Sequence, residues 1–193
     1  MPTPRHGIGA ATVGEAIYII GGATVQGFGV SNVNQAFSLK IFVTVTQTVN
    51  LYWNLISVPI VVRNVSKETL LPTSISQAYK YDPSIGYIAE DTLESGRGYW
   101  MKFDSGQSLT VSGIQSDLDT IDVHQGWNLM GTLSYPIATE DVTTHPPYII
   151  SSSFFGYRRT YFVADTLRPM KAYWVKVRGA GKLILSAKIS LKN

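Results

Sequence analysis

Two stretches of this chain carry the same anchors in the same order. Asp91-Thr92-Leu93 is followed by Tyr99-Trp100 and Lys102, and Asp165-Thr166-Leu167 by Tyr173-Trp174 and Lys176. Upstream, Trp53-Asn54-Leu55-Ile56 returns as Trp127-Asn128-Leu129-Met130, so that Trp53 and Trp127, like Trp100 and Trp174, lie 74 positions apart. At the same spacing Pro72 matches Pro146, Ile75 matches Ile149, Tyr81 matches Phe155 and Tyr87 matches Tyr161. Leu109 and Val111 match Leu183 and Leu185. Internal duplication requires one structural unit to be built twice, with the copies stacked so that each covers a face the other would expose.

The kind of unit follows from residue types. Aromatic and β-branched residues favour strands, and frequent glycines and prolines mark turns. The 193 residues include 11 Tyr, 7 Phe, 4 Trp, 17 Gly and 9 Pro. Ile41–Asn50 alternates apolar residues with Thr, a strand with one buried face. Trp53–Ile56, the segment around Tyr79–Tyr81, Tyr99–Phe103 and Leu109–Val111 read as further strands, with Phe154–Tyr157, Tyr173–Val177 and Leu183–Leu185 in the second copy. Asp82-Pro83-Ser84-Ile85-Gly86 is a turn, and Asn64–Leu71 and Glu140–His145 are loops with room for one helical turn. The fold class is therefore all-β. Two homologous units, residues 41–117 and 118–193, are expected to form a sandwich or a partly closed barrel, with Gly113–Gln125 joining them.

Residues 1–40 stand outside the duplication. Pro4-Arg5-His6-Gly7 leads into Ile8–Val13, a Gly14-Glu15 turn, and Ala16–Ile20 closed by Gly21-Gly22. That is a hairpin, followed by a short strand near Val33–Leu39. The stretch resembles a kelch repeat, which has a Pro-Arg lead, a small-residue strand and an apolar strand ending in Gly-Gly. The resemblance implies one blade's worth of a β-propeller in a longer parent protein. An arm of this kind has open edges, and a homo-oligomer formed through residues 1–40 is one expectation.

The paired units resemble a tandem repeat found near the C-termini of large secreted bacterial proteins. There Gly-Trp-Asn-Leu-Ile precedes Asp-Thr-Leu-x-Pro-Gly-x-Gly-Tyr-Trp-Val-Lys. Gly126-Trp127 keeps the leading glycine where Tyr52-Trp53 does not, and Met170 and Ala172 stand where Gly96 and Gly98 stand in the first copy. The resemblance implies a secreted or cell-surface parent protein, and it carries no activity with it. The chain's own N-terminus has no apolar segment of the signal-peptide kind, and no apolar run is long enough to insert into a membrane.

Most reaction chemistries lack their residues here. There is no cysteine, hence no thiolate nucleophile or disulfide. Gly27-Phe28-Gly29 lacks the third glycine of a dinucleotide loop, and no Gly-x-Ser-x-Gly elbow occurs. A net charge of +3, scattered except for Arg158-Arg159, excludes no binding mode by itself but gives no nucleic-acid footprint. Three features remain. Asp117, Asp119 and Asp122 offer the oxygen ligands that calcium takes, with His124 beside them as a base. Strand alternation places Asp117 and Asp119 on one side and Asp122 and His124 on the other. Asp91 and Asp165 are repeat equivalents, which points to a shared duty in a turn. Finally Tyr99, Trp100, Tyr173 and Trp174, together with Trp53 and Trp127, supply rings that can stack on sugars. Adjacent strand residues face opposite ways, so one member of each Tyr-Trp pair is core and the other is available to a ligand. Two functions are thus expected: a non-catalytic surface, adhesion or glycan-binding module, or a calcium-assisted hydrolase of an ester or lactone acting through His124.

Overall fold

The chain is all-β because its apolar residues alternate where they are regular and its glycines and prolines interrupt them where they are not. The computed structural model describes residues 3–13, 16–27, 29–38 and 40–187. The Gly14-Glu15 turn, Phe28 and Leu39 lie outside the described residues. Two units divide the chain, residues 1–41 and 42–193.

In the first unit, β1 (Gly9–Val13), β2 (Ala16–Ile20) and β3 (Asn34–Ser38) form one antiparallel sheet in chain order. Arg5 organises its end. Its guanidinium donates to the carbonyls of Gly21 and Val33, both at 2.6 Å, and to Gln35 Oε1 at 2.8 Å. One planar donor fork thus ties the lead segment to two loops and a strand.

The second unit contains both repeats. Its first half runs β4 (Phe42–Val49), β5 (Tyr52–Ile56), β6 (Ile60–Val61), the short helix α1 (Lys67–Leu70), β7 (Ala78–Asp82), β8 (Gly86–Glu90), β9 (Tyr99–Phe103) and β10 (Gln107–Gln115). Its second half runs β11 (Leu118–Val123), β12 (Gly126–Met130), β13 (Ile137–Ala138), a 3-10 turn at Thr139–Asp141, β14 (Thr143–His145), β15 (Phe154–Arg158), β16 (Thr160–Ala164), β17 (Thr166–Leu167), β18 (Tyr173–Val177) and β19 (Gly181–Ser186). Only Ser116 and Asp117 separate β10 from β11, so the expected 113–125 linker is mostly strand. Each half has a three-stranded sheet, β4-β10-β6 or β11-β19-β14, and a four-stranded sheet, β5-β9-β7-β8 or β12-β18-β15-β16.

The core of each half lies between its two sheets, as in a sandwich. Val49, Leu109 and Val111 of the smaller sheet meet Ile56, Tyr99, Met101 and Phe103 of the larger one. In the second half Val123, Leu183 and Leu185 meet Met130, Tyr173, Val175 and Val177. The outer faces of the two four-stranded sheets supply a third cluster, built on Leu55, Leu129, Ala172 and Trp174.

The offset between repeats is not constant. Ser66 bridges Thr92 where Ala138 pairs with Thr166, so Ser66 and Ala138 are equivalent at an offset of 72. Ile75 donates to the Lys102 carbonyl where Ser151 donates to that of Lys176, an offset of 76. Tyr79 faces Trp100 as Phe155 faces Trp174, and Tyr81 pairs with Tyr87 as Tyr157 pairs with Tyr161. The matches Pro72–Pro146, Ile75–Ile149 and Tyr81–Phe155 are therefore two residues out of register. The second half is two residues shorter between Met130 and Ala138, four longer around β14 and two shorter at the β15–β16 turn. All three changes fall in connections, where changes of length cost little, and the flanking anchors return to 74.

Two local devices account for the repeated motifs. The Asn54 side chain accepts from the Asn50 N–H at 2.9 Å and donates to the Asn50 and Tyr52 carbonyls at 2.8 and 3.0 Å. Asn128 does the same with His124 and Gly126 at 2.9, 2.7 and 3.0 Å. This clamp forces the intervening residue to positive φ, 99° at Gly126 and 73° at Tyr52. The leading glycine suits that position, and Tyr52 occupies it at the cost of a left-handed backbone. The second device is the tyrosine of each Tyr-Trp pair. The Glu94 N–H donates to the Tyr99 hydroxyl at 2.8 Å, and the Arg168 N–H to that of Tyr173 at 3.0 Å. Asp91 and Asp165 contribute main-chain carbonyls, which accept from Lys67 and Thr139 at 2.8 and 2.9 Å.

The halves grip each other reciprocally. Ser57 donates to the Met170 carbonyl at 3.1 Å, and its equivalent Gly131 donates to that of Gly96 at 2.9 Å. Ala172 donates to the Leu55 carbonyl at 3.3 Å, and Gly98 to that of Leu129 at 3.4 Å. Ile56 bridges Lys171 as Met130 bridges Arg97. Such pairing of i with j′ and j with i′ is what a twofold axis imposes. Gly96 has φ 74° and Met170 φ 61°, so the loss of glycine leaves the second turn in the same conformation. The Met170 side chain, fully buried, reaches into the core of the first half.

Gly98 sits where the halves come closest: a Cβ there would lie 2.8 Å from the Ala172 Cβ and 2.8 Å from Leu129. Gly98→Val is expected to destabilise the chain by about 1–3 kcal/mol through overpacking. Gly179→Ala, where a Cβ meets nothing within 4 Å, leaves stability unchanged. Urea unfolding of both variants checks the difference.

Candidate functional site

On the face of the four-stranded sheets that turns away from the cores lie Trp53, Tyr79, Tyr81 and Trp100 in the first half and Trp127, Phe155, Tyr157 and Trp174 in the second. Trp53 on β5 and Trp100 on β9 meet edge to face at 6.4 Å, and Trp127 on β12 and Trp174 on β18 at 6.5 Å. Trp53 also meets Tyr79 at 6.0 Å, as Trp127 meets Phe155 at 5.8 Å. The hairpins add cross-strand pairs, Tyr81–Tyr87 at 5.5 Å and Tyr157–Tyr161 at 5.4 Å. The halves then interlock, since Trp100 packs on Tyr157 and Trp174 on Tyr81, each at 4.8 Å. Edge-to-face pairs in this distance range are the favoured aromatic geometry. Each of these contacts has its counterpart, so the twofold relation extends from backbone to surface; it is broken at Trp100, which also meets Tyr161 edge to face at 6.5 Å.

The array leaves two hollows. One, of about 500 Å³, is lined by Tyr81, Tyr87, Trp127, Phe155, Tyr161 and Trp174. The other, of about 610 Å³, is lined by Trp53, Tyr79, Tyr87, Trp100, Tyr157 and Tyr161. Neither lining includes a charged residue. Tyr87 and Tyr161 belong to both and form the ridge between them. Exposure follows the symmetry: Trp53 and Trp127 are each 40% exposed, Tyr87 and Tyr161 each 55%. The Tyr161 phenol has a raised pKa, chiefly from partial burial and then from the nearby Tyr87 hydroxyl. The Trp174 indole N–H lies near enough to Tyr161 to oppose that shift, yet it has no hydrogen-bond partner of acceptable geometry. A buried donor without a partner is uncommon and costly.

Of the four rings Tyr99, Trp100, Tyr173 and Trp174, the tyrosines are the core member of each pair. Tyr99 and Tyr173 are 1% and 2% exposed, in the cores of their halves. Alternation sends them inward, and their hydroxyls are committed to the turns described above. Trp100 and Trp174 do line the hollows, but as walls. The rings that a ligand meets first are Trp53, Trp127, Tyr87 and Tyr161. The last two were visible in the sequence only as matched anchors, because what exposes them is a hairpin edge.

Asp117, Asp119 and Asp122 each have a different protein partner. Among the described residues no group of three or more His, Asp and Glu side chains could hold an ion. Asp117 accepts from Gln115 Nε2 at 2.6 and 2.8 Å, and Asp119 accepts from the Thr120 N–H at 2.8 Å. Asp122 pairs with Lys182 at 2.7 Å, which lowers its pKa. Strand alternation is the reason: β11 turns Asp122 away from Asp119. His124 is exposed on a small recess of about 160 Å³ shared with Asp82 and Asp122, and both its backbone groups serve the Asn128 clamp. Asp82 caps its own hairpin turn through Ser84 and Ile85, and its pKa is lowered mainly by the Ser84 hydroxyl.

A further cavity, of about 780 Å³, has the charged residues Arg158, Arg168, Lys171, Glu140 and Asp165 in a mixed polar and apolar lining. Burial, aided by Arg158, brings the Lys171 ammonium down to about 8. Lys171 donates to the Thr48 carbonyl at 3.0 Å and so ties one half to the other. Its repeat equivalent is Arg97, which pairs with Glu94 on the surface instead.

No family model, curated protein or solved structure matches this chain. No helix among the described residues is long and apolar enough to cross a membrane.

Burial pushes the Tyr99 hydroxyl up to about 12 from an ordinary 10. A raised pKa contributes stability that is whole below pH 10 and disappears as pH rises towards 12, because the unfolded chain releases the proton first. Tyr99→Phe should cost about 1 kcal/mol at pH 8 from the lost hydrogen bond. It should also flatten the fall in stability between pH 10 and 12. Urea unfolding at pH 8 and pH 11 measures both.

Proposed function

We propose that residues 42–193 form a non-catalytic carbohydrate-binding module of a secreted or cell-surface bacterial protein, holding neutral glycan in the twin aromatic hollows. The observation that carries this reading is the pair of hollows lined wholly by Tyr, Trp and Phe. Large concave linings without charge suit a neutral ligand with apolar faces, and the phenols add polar tips for its hydroxyl groups. Soluble monomers seldom expose this much aromatic surface without a use for it. The hydrolase reading has less support, because Asp117, Asp119 and Asp122 have separate partners and His124 stands on an exposed turn.

Residues 1–41 fit the reading as a kelch-type repeat belonging to a longer parent. Their support is the antiparallel order β1-β2-β3 and the Arg5 clamp at the Gly21-Gly22 corner. Strands β1 and β3 are the edges of that sheet and can pair with a second copy. Deleting residues 1–40 should then reduce the number of chains per particle seen by light scattering, and an unchanged number counts against that pairing.

The glycan reading is tested by affinity electrophoresis through a panel of soluble neutral polysaccharides, including xylan, glucomannan and mixed-linkage glucan. At least one should retard the chain. Trp53→Ala with Trp127→Ala should weaken that retardation at least about thirtyfold, as truncation of buried aromatic anchors does, with the unfolding midpoint preserved. A chain retarded by none of the panel would refute the reading.

A further inference from the structure

The two hollows are alike, adjacent and separated only by a ridge that belongs to both. We infer that they are the two subsites of a single site, which takes one continuous stretch of polysaccharide chain across the Tyr87–Tyr161 ridge, and not two independent sugar sites. The inference rests on the carbohydrate reading and adds to it the form of the ligand.

Three observations support it. Tyr87 and Tyr161 each line both hollows, so a ligand seated in one touches the wall of the other. The hollows repeat one chemistry under the twofold relation: Trp53 with Trp100 on one side, Trp127 with Trp174 on the other, at 6.4 and 6.5 Å. A repeated subsite is complementary to a repeated ligand, and a polymer of like sugar units supplies one. Charge agrees, since the ten lining residues, six in each hollow with Tyr87 and Tyr161 shared, are all aromatic. That selects an uncharged polymer over polyuronate or nucleic acid. Once one segment is bound, the neighbouring segment is held at an effective concentration on the order of millimolar, so the second hollow fills at little further cost.

Symmetry has a further effect on such a ligand. A sugar chain has a direction, and a twofold operation reverses it. The site can therefore accept the chain in either sense with similar contacts. What separates the two senses is the set of differences between the hollows: Tyr79 against Phe155, the contact of Trp100 with Tyr161 that Trp174 does not repeat with Tyr87, and the unpaired indole N–H of Trp174, whose hydrogen bond a ring hydroxyl reached by a shift of Tyr161 would complete.

The test uses the whole chain and a size-fractionated hydrolysate of whichever neutral polysaccharide retards it most strongly. Titration calorimetry should give one octasaccharide per chain. Affinity should rise at least about tenfold between the disaccharide and the octasaccharide, as expected when two subsites are linked. Trp53→Ala and Trp127→Ala singly should each return the octasaccharide to near the disaccharide affinity. Two octasaccharides per chain would overturn the inference while leaving the carbohydrate reading standing. So would an affinity independent of length, or a single variant that halves capacity without weakening the remaining site. Binding of a twelve-residue polyproline peptide in the hollows, with no polysaccharide bound, would overturn both.

Discussion

The second unit depends on a reciprocal exchange of main-chain hydrogen bonds about one axis. The segment from Gly96 to Gly98 bonds to the strand end of the opposite half, and the segment from Met170 to Ala172 returns the same bonds. These are backbone groups that β5 and β12 would otherwise leave unpaired at their ends, in surroundings that exclude water. Buried N–H and C=O groups must find partners, so neither half is satisfied without the other. Close approach is a condition of that exchange, which explains why the positions at the axis are small: Gly98, Ala172 and Gly131. The Asp-Thr-Leu to Tyr-Trp motif is thus a docking device. Its tyrosine holds the turn, its small residues admit the partner strand, and its tryptophan packs on a ring from the other side.

The same axis produces the candidate site. Joining the halves brings the outer faces of two four-stranded sheets together, but only Leu55, Leu129, Ala172 and Trp174 close completely. Around that cluster the aromatic residues line hollows without filling them. Stability and recognition therefore draw on one surface at different distances from its centre. Trp174 shows the gradient within a single residue, since its ring is 8% exposed in the joint cluster while its edge bounds a hollow.

Much of the architecture was legible because duplication and alternation are direct records of structure. Tyr99–Phe103 and Tyr173–Val177 were read as strands and are β9 and β18 residue for residue. Ile41–Asn50 contains β4. The register was less legible. Equal spacing at the anchors conceals three compensating changes in connections, and no apolar period crosses a loop to reveal them. For the site, chemistry alone was a poor guide. Asp117, Asp119 and Asp122 look like ligands when counted along the chain, but a strand distributes its neighbours over two faces and cross-strand partners engage them separately. Tyr99 and Trp100 are adjacent in sequence and end in different environments, one core and one cleft. The rings that matter most, Tyr87 and Tyr161, take their exposure from hairpin edges and their proximity from the axis. Neither property is written in local sequence.

Only Ser116 and Asp117 join the two halves, and that short tether has an evolutionary consequence. In a homodimer of one unit every substitution is made twice and must be tolerated on both sides of the axis. Joining the copies in one chain removes that constraint. Met170 can enter the opposite core while its equivalent remains Gly96. Lys171 can reach across to Thr48 while Arg97 stays on the surface. Phe155 can drop the hydroxyl that Tyr79 keeps. Covalent fusion has thereby turned a symmetric assembly into one whose two sides can specialise separately.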